Sequence, residues 1–330
     1  MCTGDLTVMT AASRYHGFPL KSTAEGPNVP LRFSIDCRLN YTVYAPSEFL
    51  FNVEAAASPS QVISRERLSV EGAQSISAYT QPDTGNRFVR ASAQHGNLTL
   101  AYSTELEVSH TTRLPSTLVE LAVAEIPPDI LPYVLPSRYC ESDRLVHLAV
   151  SRFGNLPPGY DRVRAVCDWV RTHVRFTPGT TNSSTSATEV LVEGRGVCRD
   201  FAHLAIALLR ALNIPARLVT GYDYGVPASY GPTDFHAYVE AFLSDRWWIF
   251  DATGLCPRNG LVRIGTGRDA ADVAFATIFG SIRFDGMRLD IVPLDGDVID
   301  PLELAISTAA AGEQGSVTSA GKLTPCRLVA

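Results

Sequence analysis

The sequence lacks several patterns that define other classes of protein. Its seven cysteines include no C-x-x-C pair, which argues against a structural zinc site. Their odd number and wide spacing are typical of reduced thiols rather than of a disulfide framework, so we expect a cytoplasmic protein. No run of about 18 apolar residues occurs, and no basic segment followed by an apolar one opens the chain. We therefore expect neither a transmembrane helix nor a signal peptide, and no membrane partner.

Positive charge is also scarce. The 330 residues contain 28 Lys and Arg against 34 Asp and Glu, for a formal net charge of −6, and no basic stripe interrupts this balance. We therefore do not expect a nucleic-acid partner. Hydrophobic residues make up 45% of the chain and charged residues 19%, which is enough for about two domains with sizeable cores.

The first third of the chain is rich in short runs of Val, Tyr, Phe and Thr separated by turn residues. Some of these runs alternate apolar and polar residues with the period of a strand. The strand candidates are 38–44, 48–53, 61–70, 86–93 and 97–108. We predict an antiparallel β sandwich or barrel domain over 30–112, after a poorly ordered leader at 1–29. This region contains no constellation of catalytic side chains.

The rest of the chain divides into three parts. Five prolines between 113 and 139 predict an extended linker. Helical periodicity then begins, with helices predicted at 141–153 and 161–174, and the segment 140–290 is the predicted catalytic domain. The segment 291–330 becomes rich in Ala, Gly, Ser and Thr, which predicts a C-terminal extension that ends in a flexible tail.

A glycine-rich turn delivers Cys198 to the start of an almost wholly apolar helix, predicted at 199–212. Asn213 and Pro215 end this helix. A thiol at a helix N-terminus lies among unpaired backbone N–H groups and the positive end of the helix dipole. Both favour the thiolate, which is the reactive form, and the same N–H groups can bind an oxyanion.

A hairpin downstream supplies two further polar groups. Strands are predicted at 235–243 and 246–252, joined by a two-residue turn at Ser244-Asp245. His236 opens the first strand and Asp251 ends the second. A two-residue turn pairs residues whose numbers have an odd sum, and side chains alternate between faces. His236 and Asp251 therefore share a face, offset by two positions along it.

These three residues together have the composition of a nucleophilic site. A cysteine nucleophile needs a base, and the base needs a group that orients it. Cys198, His236 and Asp251 supply these groups in chain order. Taken singly, each has an ordinary alternative: a small apolar residue capping a core helix, a half-buried strand residue, and a turn former before Ala252-Thr253-Gly254. Their joint occurrence favours catalysis.

Several motifs resemble the bacterial transglutaminase-like family, over about residues 140–290. They are Gly196-Val197-Cys198-Arg199-Asp200-Phe201-Ala202-His203-Leu204, Asn213-Ile214-Pro215-Ala216-Arg217, Phe235-His236-Ala237-Tyr238-Val239-Glu240 and Phe250-Asp251-Ala252-Thr253. Gly267-Arg268-Asp269-Ala270-Ala271-Asp272-Val273 is similar to a C-terminal segment of these proteins, and 31–110 resembles the β domain attached to them. The resemblance implies an α+β fold with a papain-like or transglutaminase-like core, and a Cys198-His236-Asp251 triad.

The implied activity is thiol-dependent acyl transfer on amide bonds through a Cys198 thioester. Hydrolysis by a cysteine peptidase or amidase is favoured, because water is always present. Transglutaminase activity, with an amine co-substrate, and a non-catalytic binding module are the alternatives. A peptide or protein amide is the expected partner, and no cofactor or metal is expected.

Two residues depart from the family pattern. Phe176 stands where a tyrosine is common, so the second oxyanion donor is left open. Cys256 is outside the pattern and is interpreted as incidental. The natural substrate, the acyl acceptor, the role of the β domain and the oligomeric state are also left open.

Overall fold

The structure of the protein is a computed structural model, and it describes residues 30–309 and 328–329. The predicted leader at 1–29 and most of the predicted tail lie outside the described residues. Among the described residues, no helix is both long and apolar enough to cross a membrane.

The N-terminal part of the chain forms strands that share one apolar core. The strands that precede the helices are β1 (Leu31–Val43), β2 (Ser47–Phe51), β3 (Gln61–Glu71), β4 (Ala73–Thr80), β5 (Arg87–Ala93), β6 (Gly96–Val108) and β7 (Thr111–Arg113). Burial alternates along β1 and β6, as expected for strands with one face in a core. β1 and β6 pair in one sheet, and β2, β5 and β4 pair in another.

The two sheets enclose a common cluster of buried side chains, as in a sandwich. Tyr41 of β1 contacts Phe49 and Phe51 of β2, with ring centroids 5.3 and 5.9 Å apart. The prediction of a β-rich N-terminal domain is confirmed. Strand β4 was not among the predicted strands, because its residues are largely exposed and show no apolar alternation.

The second half of the chain supplies the helices and a further antiparallel sheet. Its elements are α1 (Val146–Phe153), α2 (Tyr160–His173), β8 (Arg175–Phe176), α3 (Ala187–Glu193), β9 (Arg195–Gly196), α4 (Cys198–Ala211), β10 (Ala216–Asp223), β11 (Phe235–Leu243), β12 (Arg246–Phe250), β13 (Leu261–Gly267), α5 (Ala270–Val273), β14 (Ala276–Phe279), β15 (Ile282–Pro293), β16 (Ala305–Ser307) and β17 (Leu328–Val329). The sheet runs in the order β12-β11-β10-β13, and α4 packs against β10 and β11. The α+β class is confirmed.

The helix α4 is the centre of this half. Every residue from Asp200 to Ala211 is buried, because α1, α2, α3 and the sheet all pack around it. The predicted helix at 199–212 is confirmed to within one residue at each end. The chain leaves the helix through Asn213, whose φ of 62° is left-handed, and Pro215 follows.

The hairpin of β11 and β12 has the predicted register. Leu243 pairs with Arg246 and Val239 with Phe250 around a two-residue turn. Ser244 takes a φ of 57°, as a tight hairpin turn of this length requires. Residues of β11 at even numbers therefore share a face with residues of β12 at odd numbers.

The predicted boundary of the catalytic domain at 290 differs from the structure. β14 pairs with β2, and β15 pairs with β1 over its length, so the chain returns to the N-terminal sheets at 276–293. The local pattern of these residues is strand-like, but nothing local identifies partners more than 200 residues away. The predicted linker at 113–139 contains short 3-10 turns, and Ile126 and Ile130 are buried beside Trp247.

The β domain packs against the strands that carry the candidate site. The Asn86 side chain both donates to and accepts from the backbone of Thr266 on β13, at 2.8 and 2.9 Å. The hydroxyl of Tyr222 on β10 donates to the carbonyl of Val53. Phe235, at the start of β11, is buried in the same cluster as the N-terminal sheets. The β domain therefore supports the end of the sheet at which β11 begins.

Candidate active site

The turn before α4 is shaped by one buried carboxylate. Asp200 accepts hydrogen bonds from the Val197 amide at 2.8 Å and from the Thr181 hydroxyl at 2.7 Å. A Cβ on Gly196 would lie 2.7 Å from the Cβ of Asp200, so only glycine fits at this point of the turn. These contacts fix the backbone that presents Cys198 as the first residue of α4. No role for Asp200 was predicted from the sequence.

Cys198 differs from the other cysteines that the structure describes. It is partly exposed, whereas the other described cysteines are buried. Its Sγ lies 3.8 Å from the carbonyl oxygen of Phe235, the residue that precedes His236. The thiol therefore lies at the beginning of β11, beside the predicted base.

The imidazole of His236 is buried and lies between carboxylates. Its Nε2 is 3.3 Å from Oδ1 of Asp251, which directly follows β12. Asp251 in turn accepts hydrogen bonds from the Thr253 amide at 2.9 Å and from the Thr253 hydroxyl at 2.8 Å. The structure thus brings Cys198, His236 and Asp251 together at one end of the sheet.

The electrostatics of this group favour a charged imidazole. Burial by itself lowers the pKa of His236, but Asp251 and Cys198 outweigh it and hold that pKa well above its ordinary value. Burial likewise acts to raise the pKa of Asp251. The His236 charge and the Thr253 hydrogen bonds reverse that effect and keep the pKa of the carboxyl below its ordinary value. The arrangement is an imidazolium–carboxylate pair next to a thiol.

A second carboxylate contacts the same ring. Oδ2 of Asp223, at the end of β10, lies 3.3 Å from Nδ1 of His236. Burial raises the pKa of Asp223 to about 6. Asp223 could not be predicted from the sequence, because the connection at 224–234 is too long to fix the register of β10 against β11. The strand β10 was predicted, but its partner residues were not.

Cys256, which was interpreted from the sequence as incidental, lies beside the candidate active site. Its Sγ is 3.8 Å from Oδ2 of Asp251. Donor atoms of Asp223, His236 and Cys256 all lie within 4.8 Å of one another, and all three residues are buried. Within the described residues, these are the side chains that could hold a metal ion. No sequence spacing signals this set, since its members come from three separate elements.

One surface cavity among the described residues lies away from the candidate site. It has a volume of about 680 Å³ and is lined on its two sides by Phe88 of the β domain and by Trp247 and Arg268 of the core. A smaller cavity of about 210 Å³ is lined in part by Asp251 and Cys256. Cavity size alone therefore does not locate the candidate site.

Comparisons with known proteins identify the family to which the chain belongs. Residues 147–252 match the model of the transglutaminase-like superfamily, and residues 31–129 match the bacterial transglutaminase N-terminal domain. The crystal structure of a candidate cysteine protease from Cytophaga hutchinsonii is 39% identical, with a TM-score of 0.80. That match covers 85% of this chain and 99% of the other. The protein therefore belongs to the transglutaminase-like superfamily, as the motifs predicted.

Curated relatives cover less of the chain. An uncharacterised protein of Mycobacterium leprae is 38% identical over 117 residues, which are 34% of this chain and 42% of that protein. An uncharacterised protein of Mycobacterium bovis is 30% identical over 175 residues, or 48% and 55% of the two chains. The chain thus spans about half the length of these curated relatives.

Proposed function

We propose that the protein is a cysteine-dependent enzyme that transfers the acyl group of an amide to water, as a peptidase or amidase. The observation that carries the proposal is the placement of Cys198 at the N-terminus of α4, beside an imidazole paired with a carboxylate. Membership of the transglutaminase-like superfamily supports it, and so does the likeness to the candidate cysteine protease of Cytophaga hutchinsonii.

In the first half of the reaction, the Cys198 thiolate attacks the carbonyl carbon of the amide. A bond forms between Sγ and that carbon, and the developing oxyanion is close to the backbone N–H of Cys198. The C–N bond then breaks, and the His236 imidazolium donates its proton to the leaving amine. The product of this half-reaction is a thioester on Cys198.

In the second half, water resolves the thioester. Neutral His236 takes a proton from the water as it attacks the thioester carbon, and the C–S bond breaks to release the acid and restore the thiolate. Asp251 accepts a hydrogen bond from the ring, which fixes its orientation and stabilises the imidazolium in both halves. Thr253 holds Asp251 through two donors.

An amine acceptor would make the same site a transglutaminase, because the acyl-enzyme and the triad are unchanged. Hydrolysis is proposed because water reaches any thioester that an amine can reach. The specificity of the acyl site would come from the loops at 176–187 and 225–234, where Phe176 and Tyr230 lie edge to face with ring centroids 5.9 Å apart. This aromatic pair beside the Cys198 turn fits an apolar side chain of a peptide substrate.

The first test is the alkylation rate of each cysteine as a function of pH, read by mass spectrometry. We expect Cys198 alone to react rapidly below about pH 7, and to lose this reactivity in His236→Ala. An ordinary pH dependence of Cys198 in both proteins would contradict the proposal and favour a binding module. A screen of peptide amides, with and without a labelled primary amine, then separates hydrolysis from amine transfer.

A further inference from the structure

The donor atoms of Asp223, His236 and Cys256 form a compact buried set. A carboxylate oxygen, an imidazole nitrogen and a thiol sulfur lie within 4.8 Å of one another. These are ligand types of Zn²⁺, whose bonds to them are about 2.0–2.3 Å long, so its tetrahedral donors lie about 3.3–3.8 Å apart. The contact between Asp223 and His236, at 3.3 Å, already has that spacing. The thiol of Cys256 lies within 4.8 Å of both donors, so it is at most about 1 Å beyond the spacing of a zinc site.

A second observation points to a ligand at this set. Oδ1 of Asp223 is buried and has no hydrogen-bond partner, although its residue is only 6% exposed. A buried carboxylate oxygen without a partner is unfavourable, and a cation bound by both oxygens of Asp223 would satisfy it. The Cys256 thiol has only a long contact, 3.8 Å, with Asp251. Both groups therefore have bonding capacity that the surrounding protein leaves unused.

The surroundings of His236 also match those of a metal ligand. A histidine that binds a metal through one ring nitrogen ordinarily donates its other N–H to a carboxylate, which fixes the ring. Here Nδ1 faces Asp223, while Nε2 lies 3.3 Å from Asp251. Asp251 is itself held by Thr253. When Nδ1 binds zinc, the carboxylate of Asp251 thus lies at ion-pair distance from the other ring nitrogen.

We propose that Asp223, His236 and Cys256 bind a Zn²⁺ ion that inhibits the enzyme reversibly. On binding, Zn²⁺ forms bonds to the carboxylate of Asp223, to Nδ1 of His236 and to Sγ of Cys256. The Nδ1 proton of the His236 imidazolium and the thiol proton of Cys256 both pass to solvent. No electron is transferred. The bound metal occupies the lone pair with which His236 takes up protons. The inhibition rests on the proposed function, whereas the binding of the metal does not.

The test is metal binding by the full chain, stripped with a chelator and then titrated with Zn²⁺ against a chromophoric competitor. Co²⁺ serves as a spectroscopic substitute, because a thiolate ligand gives a charge-transfer band. We expect wild type and Cys198→Ser to bind alike and to show this band. Cys256→Ser should lose the band and bind at least about 10–100-fold more weakly, the loss caused by removal of even an outer-shell partner.

Equal affinity in wild type and Cys256→Ser would overturn the inference. So would loss of binding in Cys198→Ser, since the metal would then lie on the nucleophile. Thermal melting of the stripped proteins shows whether each variant folds. If Cys256→Ser does not fold, Asp223→Asn, which keeps the shape of the side chain, replaces it and should weaken binding in the same way.

The same experiment separates this inference from the proposed function. Zinc binding in Cys198→Ser together with an unreactive Cys198 in chelator-treated wild type would overturn the enzyme and leave the metal site standing. Rapid alkylation of Cys198 in chelator, without zinc binding, would overturn the metal site alone. If both hold, micromolar Zn²⁺ slows alkylation of Cys198 in wild type, and excess chelator restores it.

Discussion

Two histidines of the core, His203 and His236, are equally buried and electrostatically opposite. His203 lies on α4, stacks on Tyr139 with ring centroids 5.1 Å apart, and accepts a hydrogen bond from the amide of Ala270. Burial, with help from Arg199, lowers its pKa to about 3. His236 is buried to the same degree, but its pKa is held well above the ordinary value.

The difference shows that burial does not decide the charge of an imidazole. Burial favours the neutral ring in both cases. At His236, Asp251, whose Oδ1 lies 3.3 Å from Nε2, and Cys198 together outweigh that effect. At His203, the ring is a neutral acceptor that ties α4 to the segment around α5. His203 is thus suited to a structural role, and His236 to proton transfer.

The largest expected effect is the loss of the His236 imidazole. His236→Ala should lower kcat/KM for an amide substrate by about 10⁴-fold, because both half-reactions need the ring to move a proton. His203→Ala is the matched control: it removes an equally buried ring from the same core. Measured on folded protein, it should keep kcat/KM within about tenfold of wild type. Similar losses in the two variants would mean that His236 has only a packing role.

The next effect concerns the partner of the ring. Asp251→Asn should lower kcat/KM by about 10²–10³-fold, since the amide neither stabilises imidazolium nor fixes the tautomer. It should also move the alkaline limb of the pH profile to lower pH, because Asp251 helps to keep the pKa of His236 high. Asp269→Asn is the control. It is measured on folded protein. That buried carboxylate caps α5 through the Ala271 amide and also accepts from the Tyr139 amide, and asparagine keeps the first of these two bonds.

Local sequence patterns predict part of this structure. The helix after Cys198, the hairpin register and the shared face of His236 and Asp251 follow from local rules, namely apolar periodicity and the length of one turn. These rules are short-ranged, and the motifs that resemble a known family lie within the same short segments. Their predictions of fold class and family are confirmed.

What could not be predicted depends on long-range pairing. Asp223 reaches His236 only because β10 pairs with β11 across a long connection, in the register that sets Gly221 opposite His236. β15 completes the sheet of β1 from more than 200 residues away. The charges of the His203 and His236 rings depend on such contacts as well, so local patterns do not predict them.

A third effect is on stability in acid. Because the folded-state pKa of His203 is lowered to about 3, the unfolded chain binds a proton that the folded chain does not. This opposes folding as the pH falls below about 6.5, by up to ~1.4 kcal/mol per pH unit. His203→Gln should therefore flatten the decline of the unfolding free energy between about pH 6 and pH 4, as measured by urea unfolding.

His236 should act with the opposite sign. Its pKa is raised on folding, so its contribution to stability is full below about pH 6.5 and is lost as the pH rises through the higher folded value. His236→Gln should therefore remove stability in acid rather than restore it. If the unfolding free energies of the two variants changed in the same way with pH, the assignment of opposite charges to the two rings would be contradicted.

The smallest effect tests how firmly Asp251 is held. The Thr253 hydroxyl is 2.8 Å from each carboxylate oxygen of Asp251, and the Thr253 amide adds a third bond at 2.9 Å. Thr253→Val keeps the shape of the side chain and the amide but removes the hydroxyl. We expect kcat/KM to fall by about tenfold, with KM nearly unchanged. A hydrogen bond to a charged group contributes about 1.5–3 kcal/mol, and the effect lies at the lower end because the Thr253 amide still holds the carboxylate.

Thr253→Ser separates orientation from packing at this position. Serine restores the donor and removes a methyl group, so it should recover most of the activity lost in Thr253→Val if the hydroxyl acts through Asp251. The alkaline limb of the pH profile should also return to its wild-type position. The reason is that the imidazolium of His236 is stable only beside a carboxylate that is ionised and correctly placed. Equal loss in the serine and valine variants would mean that the methyl group, rather than the hydrogen bond, keeps Asp251 against the ring.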